Sequence, residues 1–151
     1  MEYLLSFVLG IVLGSFPTAY IFLKKFKQID ITESGSGNVG AMNSFRLSKS
    51  KSLGLLVFLI DFLKGLATVF LIVIIFGDIF LLKIIGLIGA VLSHCYSFWI
   101  KFKGGRGLAT AAGGALLISY PALIVWAVMW LIAFAFRRNI HFSNFTATLL
   151  T

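Results

Sequence analysis

Two short polar stretches hold most of the residues in this chain that could bind an anion: SGSGNVGAMNSFR over 34–46 and KFKGGRG over 101–107. In the first, Gly35, Gly37 and Gly40 alternate with Ser34, Ser36, Asn38 and Asn43, and Arg46 closes the run. Glycine admits positive φ and leaves the backbone uncovered, so successive N–H groups can turn toward one anion. An arginine a few residues on can clamp phosphate oxygens through two parallel hydrogen bonds. In the second stretch Lys103, Gly104, Gly105 and Gly107 surround Arg106, just before an apolar segment that starts at Leu108. A helix beginning there would add unpaired N–H groups and a partial positive charge. The plainer readings are a flexible polar loop and a basic interfacial loop that only anchors topology. Such a site suits chemistry that needs positioning and charge stabilisation more than acid–base groups.

Other candidates are few. Asp61 and Lys64 lie three apart on one face of an apolar stretch, where charges are costly and usually pair inside a bundle. They read as a structural ion pair, or as a pair in which Lys64 also helps to shape the site. His94 falls one or two turns before the second loop, and a lone membrane histidine is more often a packing hydrogen bonder than a base. With two histidines and one cysteine (Cys95), no metal site or internal disulfide is expected. Asp30, Asp61 and Asp78 have no evident relation to a nucleophile, so no Ser-His-Asp arrangement can be argued. GSGNVG carries part of the glycine spacing of a dinucleotide fingerprint, but lacks the preceding strand and the downstream acid.

The elements that must position these loops are membrane helices. Of 151 residues, 60% are apolar and only 12% charged, and mean hydropathy is +1.03. A soluble domain of this length could not hide that much apolar surface. We therefore expect an all-α, polytopic transmembrane bundle forming a single domain over 1–151. Spans are expected near 3–23, 53–76, 79–99, 108–120 and 121–136. The first spans 21 uncharged residues, roughly 31 Å as a helix, against a hydrocarbon core of about 30 Å. Gly10 and Gly14 there allow close approach of another helix. Pro17 should kink it, with Ser15 and Thr18 satisfying the freed backbone groups. Lys83 is placed to snorkel outward, and the ATAAGGA stretch suits tight helix packing. The formal net charge of +8 sits beside apolar segments, where it sets topology and meets anionic headgroups. The basic bias puts the N-terminus outside and both glycine-rich loops in the cytoplasm. No nucleic-acid motif is present.

Three stretches in this order, SGNVGAMNSFR at 36–46, DFLKG at 61–65 and SHCYSFWIKFKGGRGLAT at 93–110, resemble the bacterial acyl-phosphate:glycerol-3-phosphate acyltransferases. These are integral membrane enzymes of phospholipid synthesis, and the resemblance covers most of the chain. It implies transfer of an acyl group from fatty acyl phosphate to glycerol 3-phosphate, giving lysophosphatidic acid, with no cofactor or metal. It also implies residence in the bacterial inner membrane, and makes the enzyme that produces acyl phosphate a candidate partner. The family's loop serine, arginine and second-loop base fall on Ser36, Arg46 and Arg106. Gly37, Asn38, Gly40, Asn43, Lys103, Gly104, Gly105 and Gly107 would form the phosphate-binding loops, and Asp61, Lys64, His94, Arg138 and Asn144 would support them. Arg106 replaces the usual lysine and Met42 the usual threonine. In the third motif Arg138 matches, whereas His141 and Asn144 stand where serines are usual. The family pattern runs on to a further His/Asn-bearing motif, so the chain reads as a C-terminally shortened member. The alternative is a catalytically impaired paralogue, or a membrane protein that binds phosphate-bearing lipid.

Overall fold

A computed structural model describes all 151 residues. It is 77% helix without strands, as the all-α expectation requires. The chain forms two compact units, Met1–Ile118 and Ser119–Thr151. The first holds α1 (Glu2–Gly14), α2 (Thr18–Lys27), α3 (Ala41–Ser48), α4 (Lys51–Phe76), α5 (Phe80–Cys95), a 3-10 turn (Phe98–Ile100) and α6 (Leu108–Ile118). The second holds α7 (Tyr120–Arg137) and α8 (Ile140–Leu150). Glu2–Lys27, Lys51–Phe76 and Tyr120–Arg137 are long and apolar enough to cross a membrane. Many large apolar side chains on α1, α4 and α5 face outward, as lipid-facing helices require.

Small residues set the helix pairs of the first unit. A Cβ at Gly10 would overlap the Gly86 carbonyl, and one at Gly65 would overlap the Thr110 carbonyl, so α1 meets α5 and α4 meets α6 backbone to backbone. Gly113 likewise lies on the Phe62 carbonyl, so the small-residue stretch of α6 packs as its composition suggests.

The first apolar stretch is not one kinked helix. It breaks at 15–17 into α1 and α2, with Pro17 as the residue before α2. The carbonyls freed there are satisfied from elsewhere in the chain. Ser97 Oγ donates to the Ser15 carbonyl at 2.5 Å, and Lys64 Nζ donates to the Phe16 carbonyl at 2.5 Å. Ser15 Oγ turns back to the Val12 carbonyl at 3.0 Å, while the Thr18 hydroxyl is buried without a partner. The expectation therefore holds for Ser15, whose hydroxyl serves the Val12 carbonyl at the end of α1, and is corrected for Thr18. Lys64 on α4 and Ser97 after α5 reach the Phe16 and Ser15 carbonyls instead.

Lys83 reaches outward from a buried stem, as expected. Its ammonium pairs with Asp78 at 2.5 Å, so it closes the turn between α4 and α5. Over 79–99 the chain is helical only to Cys95, then turns through Phe98–Ile100. In the second unit the indoles of Trp126 and Trp130, one helical turn apart, donate to Thr148 Oγ1 (3.2 Å) and Asn144 Oδ1 (2.6 Å), tying α8 to α7. Asn139 caps α8 by accepting from the His141 and Phe142 amides.

Beneath the loops lies an apolar cluster of Ala19, Leu23, Ile31, Val39, Val57 and Ile100. Ile31 and Val39 come from the first polar connection and Ile100 from the second. Each such buried aliphatic side chain contributes about 1.5–3 kcal/mol relative to exposure to water. This cluster seats both glycine-rich stretches on the ends of α2 and α4.

Candidate active site

The first loop leaves α2 through Gln28 and reverses at residues 34–37. Gly35 and Gly37 have φ of +61° and +70°, a region that favours glycine, and the Gly37 amide donates to the Ser34 carbonyl at 3.1 Å. Asn43, in the first turn of α3 and 3% exposed, is the clamp of this loop. Its Nδ2 donates to the Ser34 and Asn38 carbonyls, both at 3.1 Å, and its Oδ1 accepts from the Ser36 amide at 3.3 Å. Ser36 is thus held at the loop's exposed tip, and Arg46 projects from the exposed side of α3.

The second loop is drawn onto the first. The Val39 amide donates to the Gly104 carbonyl at 3.0 Å, and the Gly105 amide donates to the His94 carbonyl at 3.1 Å. Side chains at either glycine have no room. A Cβ at Gly104 would strike the His94 and Cys95 carbonyls, and one at Gly105 would strike His94 Nε2 and approach the Val39 carbonyl at 2.9 Å. Gly107 (φ +73°) then turns the chain into α6. Arg106 lies exposed between these glycines, and Lys103 is exposed just ahead of them.

One expectation changes here. The amides of Gly37 and Gly105, with that of Gly40 on the Asn38 carbonyl at 3.1 Å, are used inside the loops. These glycines act by turning the chain and by permitting close approach. The exposed polar side chains of the two loops include Ser36, Arg46, Lys101, Lys103 and Arg106.

Behind the junction lies a buried charged group. Lys64 Nζ lies 2.7 Å from Asp61 Oδ1, and His94 Nδ1 lies 3.8 Å from the same oxygen. Asp61, Lys64 and His94 are 3%, 8% and 8% exposed. The pair is structural in its contacts. Lys64 ties α4 to the break between α1 and α2, and the His94 ring stands between Asp61 and Gly105. His94 is buried, with its Nε2 against Gly105 of the second loop. Arg138 and Asn144 belong to the second unit, where Arg138 ends α7 in a left-handed conformation (φ 51°) and Asn144 accepts from Trp130. No group of three His, Cys, Asp or Glu residues could hold a metal ion.

Because Asn43 makes three of the bonds that close the first loop, Asn43→Ala should lower stability by about 1–3 kcal/mol and loosen the backbone over 34–38. Thermal unfolding and amide hydrogen exchange of the variant would check this.

Comparison with known proteins agrees with this geometry. A family model described as glycerol-3-phosphate acyltransferase matches residues 4–151. The chain is 36% identical over 147 residues to a glycerol-3-phosphate acyltransferase of Bartonella quintana, covering 96% of this chain and 69% of that one. It is 38% identical over 146 residues to glycerol-3-phosphate acyltransferase 2 of Moorella thermoacetica, covering 96% and 73%. Among solved structures it resembles PlsY (YgiH), an integral membrane glycerol 3-phosphate acyltransferase in its glycerol 3-phosphate form. The TM-score is 0.84 at 35% identity, covering 99% of this chain and 74% of that one. The lysophosphatidic acid form of the same protein gives 0.82 at 34%. An all-helical membrane fold, two arginine-bearing glycine loops joined at one face, and a match over almost its whole length together place this chain in the glycerol-3-phosphate acyltransferase family.

Proposed function

We propose that this chain transfers an acyl group from fatty acyl phosphate to the 1-hydroxyl of glycerol 3-phosphate, releasing lysophosphatidic acid and inorganic phosphate. The observation that carries the reading is the backbone bond between Val39 and Gly104, which sets Ser36, Arg46 and Arg106 on two loops of one junction. Both substrates carry phosphate, and the junction offers guanidinium and hydroxyl donors suited to it. Arg46 and Arg106 clamp the phosphates, Ser36 hydrogen-bonds one of them, and Lys103 adds charge at the rim. The hydroxyl oxygen attacks the acyl carbonyl carbon, the bond from that carbon to the phosphate oxygen breaks, and inorganic phosphate leaves. With His94 buried, the hydroxyl proton passes to a phosphate oxygen rather than to a protein base. Orientation and charge stabilisation then supply most of the acceleration.

Membrane placement follows from charge. Lys24, Lys25 and Lys27, then Arg46, Lys49 and Lys51, and then Lys101, Lys103 and Arg106 flank the two loops, whereas the α4–α5 turn carries Asp78. The positive-inside rule assigns both loops to the cytoplasmic face of a bacterial inner membrane and the N-terminus to the outside. The phosphates dock at that face while the acyl chain lies among the helices. The acyl-phosphate-producing enzyme would be the partner that delivers the donor there.

The test is transfer of label from glycerol 3-phosphate into lipid by the purified chain, with acyl phosphate and acyl-CoA offered separately. Product from acyl phosphate alone is the expected result. Product from acyl-CoA alone would overturn the donor assignment. Absence of product from a folded, inserted protein would favour a phosphate-lipid-binding role.

A further inference from the structure

Beside the loop junction lies a separate cleft of about 320 Å³, bounded by the end of α2, the start of the first loop and the turn after α5. Its rim includes none of Ser36, Arg46 and Arg106. Three lysines line it, Lys24, Lys101 and Lys103, together with Asp30 and Glu33. Lys24 Nζ donates to Tyr20 Oη at 2.6 Å and lies over that ring, so it is fixed at the cleft wall. Asp30 Oδ1 accepts from the Thr32 amide (3.0 Å) and hydroxyl (2.7 Å). The Thr32 hydroxyl holds that carboxyl below its ordinary range, so it remains an ionised acceptor.

The turn that carries two of the lysines is built at a cost. Lys101 and Phe102 are consecutive non-glycine residues with φ of +57° and +60°, a left-handed conformation that L side chains disfavour. It is fixed by the Phe102 amide on the Ser97 carbonyl (2.9 Å), the Lys103 amide on the Ile100 carbonyl (3.2 Å) and the Ser97 amide on the Lys103 carbonyl (3.2 Å). The reversal puts Lys101 and Lys103 on the same cleft. Such strain, held by surrounding bonds, concentrates at binding sites. Trp99 and Phe102, 64% and 68% exposed, stand at the same turn. Aromatics beside lysines at the end of a membrane helix mark headgroup level.

We propose that this cleft binds a lipid headgroup bearing phosphate and free hydroxyls, of the phosphoglycerol type. The lysines take the phosphate, Asp30 and Glu33 accept from the hydroxyls, and Trp99 and Phe102 rest among the adjoining lipids. The cleft shares Lys103 with the rim of the acyl-transfer junction but holds none of Ser36, Arg46 and Arg106, so lipid retention through Lys24 and Lys101 can fail without affecting that reading.

The test uses the full chain in nanodiscs of phosphatidylcholine doped with phosphatidylglycerol, with retained lipid counted by native mass spectrometry. The wild type should retain phosphatidylglycerol preferentially. Lys24→Ala with Lys101→Ala should lower that retention about tenfold or more, and the Lys24→Arg, Lys101→Arg pair should keep it. A parallel arm adds inorganic phosphate. Retention unaffected by millimolar phosphate identifies a lipid site, whereas lysine-dependent displacement by it keeps the phosphate chemistry and assigns the free ion as occupant. No preference for phosphatidylglycerol in the wild type, or equal retention by the alanine pair, would overturn the proposal.

Discussion

Arg46→Ala should lower turnover by about 10²–10³-fold while leaving insertion and thermal stability unchanged, the range for removing one pre-aligned charge-stabilising donor. The arginine projects from the exposed side of α3, whose buried side carries Asn43 and Ser44. Truncation therefore opens no cavity and strands no buried partner, so little folding cost is expected. Its guanidinium can hold two phosphate oxygens at once, which orients the group as well as neutralising it. Arg46→Lys should recover only part of the loss, because an ammonium is a point charge without the planar fork. Turnover near wild type in a folded Arg46→Ala protein would remove Arg46 from the site. A parallel fall in unfolding temperature would make its role structural.

Lys64→Met should destabilise the fold by about 3–5 kcal/mol, because it leaves Asp61 buried and uncompensated. The same ammonium also serves the Phe16 carbonyl at the helix break, a part-buried bond that the substitution removes as well. A buried pair replaced whole is often neutral. Asp61→Leu combined with Lys64→Met should thus recover much of the loss, short of the Phe16 bond. Unfolding in detergent followed by circular dichroism reads both effects. A loss below about 1 kcal/mol for Lys64→Met would mean that water reaches Asp61 and that the pair is not buried as described.

Periodicity and residue type made the helical, membrane-embedded fold legible, since lipid forces backbone satisfaction within each helix. Gly10, and the glycines of α6, revealed close approach for the same local reason. The Asp61–Lys64 pair was legible because the two lie one turn apart, and burial left them little choice but each other. What a lysine does with its remaining hydrogens was not legible. The Phe16 carbonyl is 48 residues away in sequence, and no spacing rule reaches that far. The same limit hid Ser97 on Ser15. It hid the meeting of Val39 with Gly104, which joins two loops of similar composition. Composition also misassigned the work of the glycines. Gly37, Gly40 and Gly105 look like amide donors for an anion, but their N–H groups close the loops, because a tight turn consumes its own donors. Asn43 resembled one polar loop residue among several. Its role as the clamp depends on α3 starting at Ala41 and turning that side chain inward.

The most direct measurement of the central claim, that both arginine-bearing loops hold phosphate at one junction, is ligand protection of the arginines. The purified chain is treated with an arginine-selective dicarbonyl, and modification at Arg46 and Arg106 is followed by peptide mass spectrometry. Glycerol 3-phosphate should slow modification at both positions together, and glycerol at the same concentration, lacking phosphate, should slow neither. Unchanged rates at both arginines under saturating glycerol 3-phosphate would contradict the account.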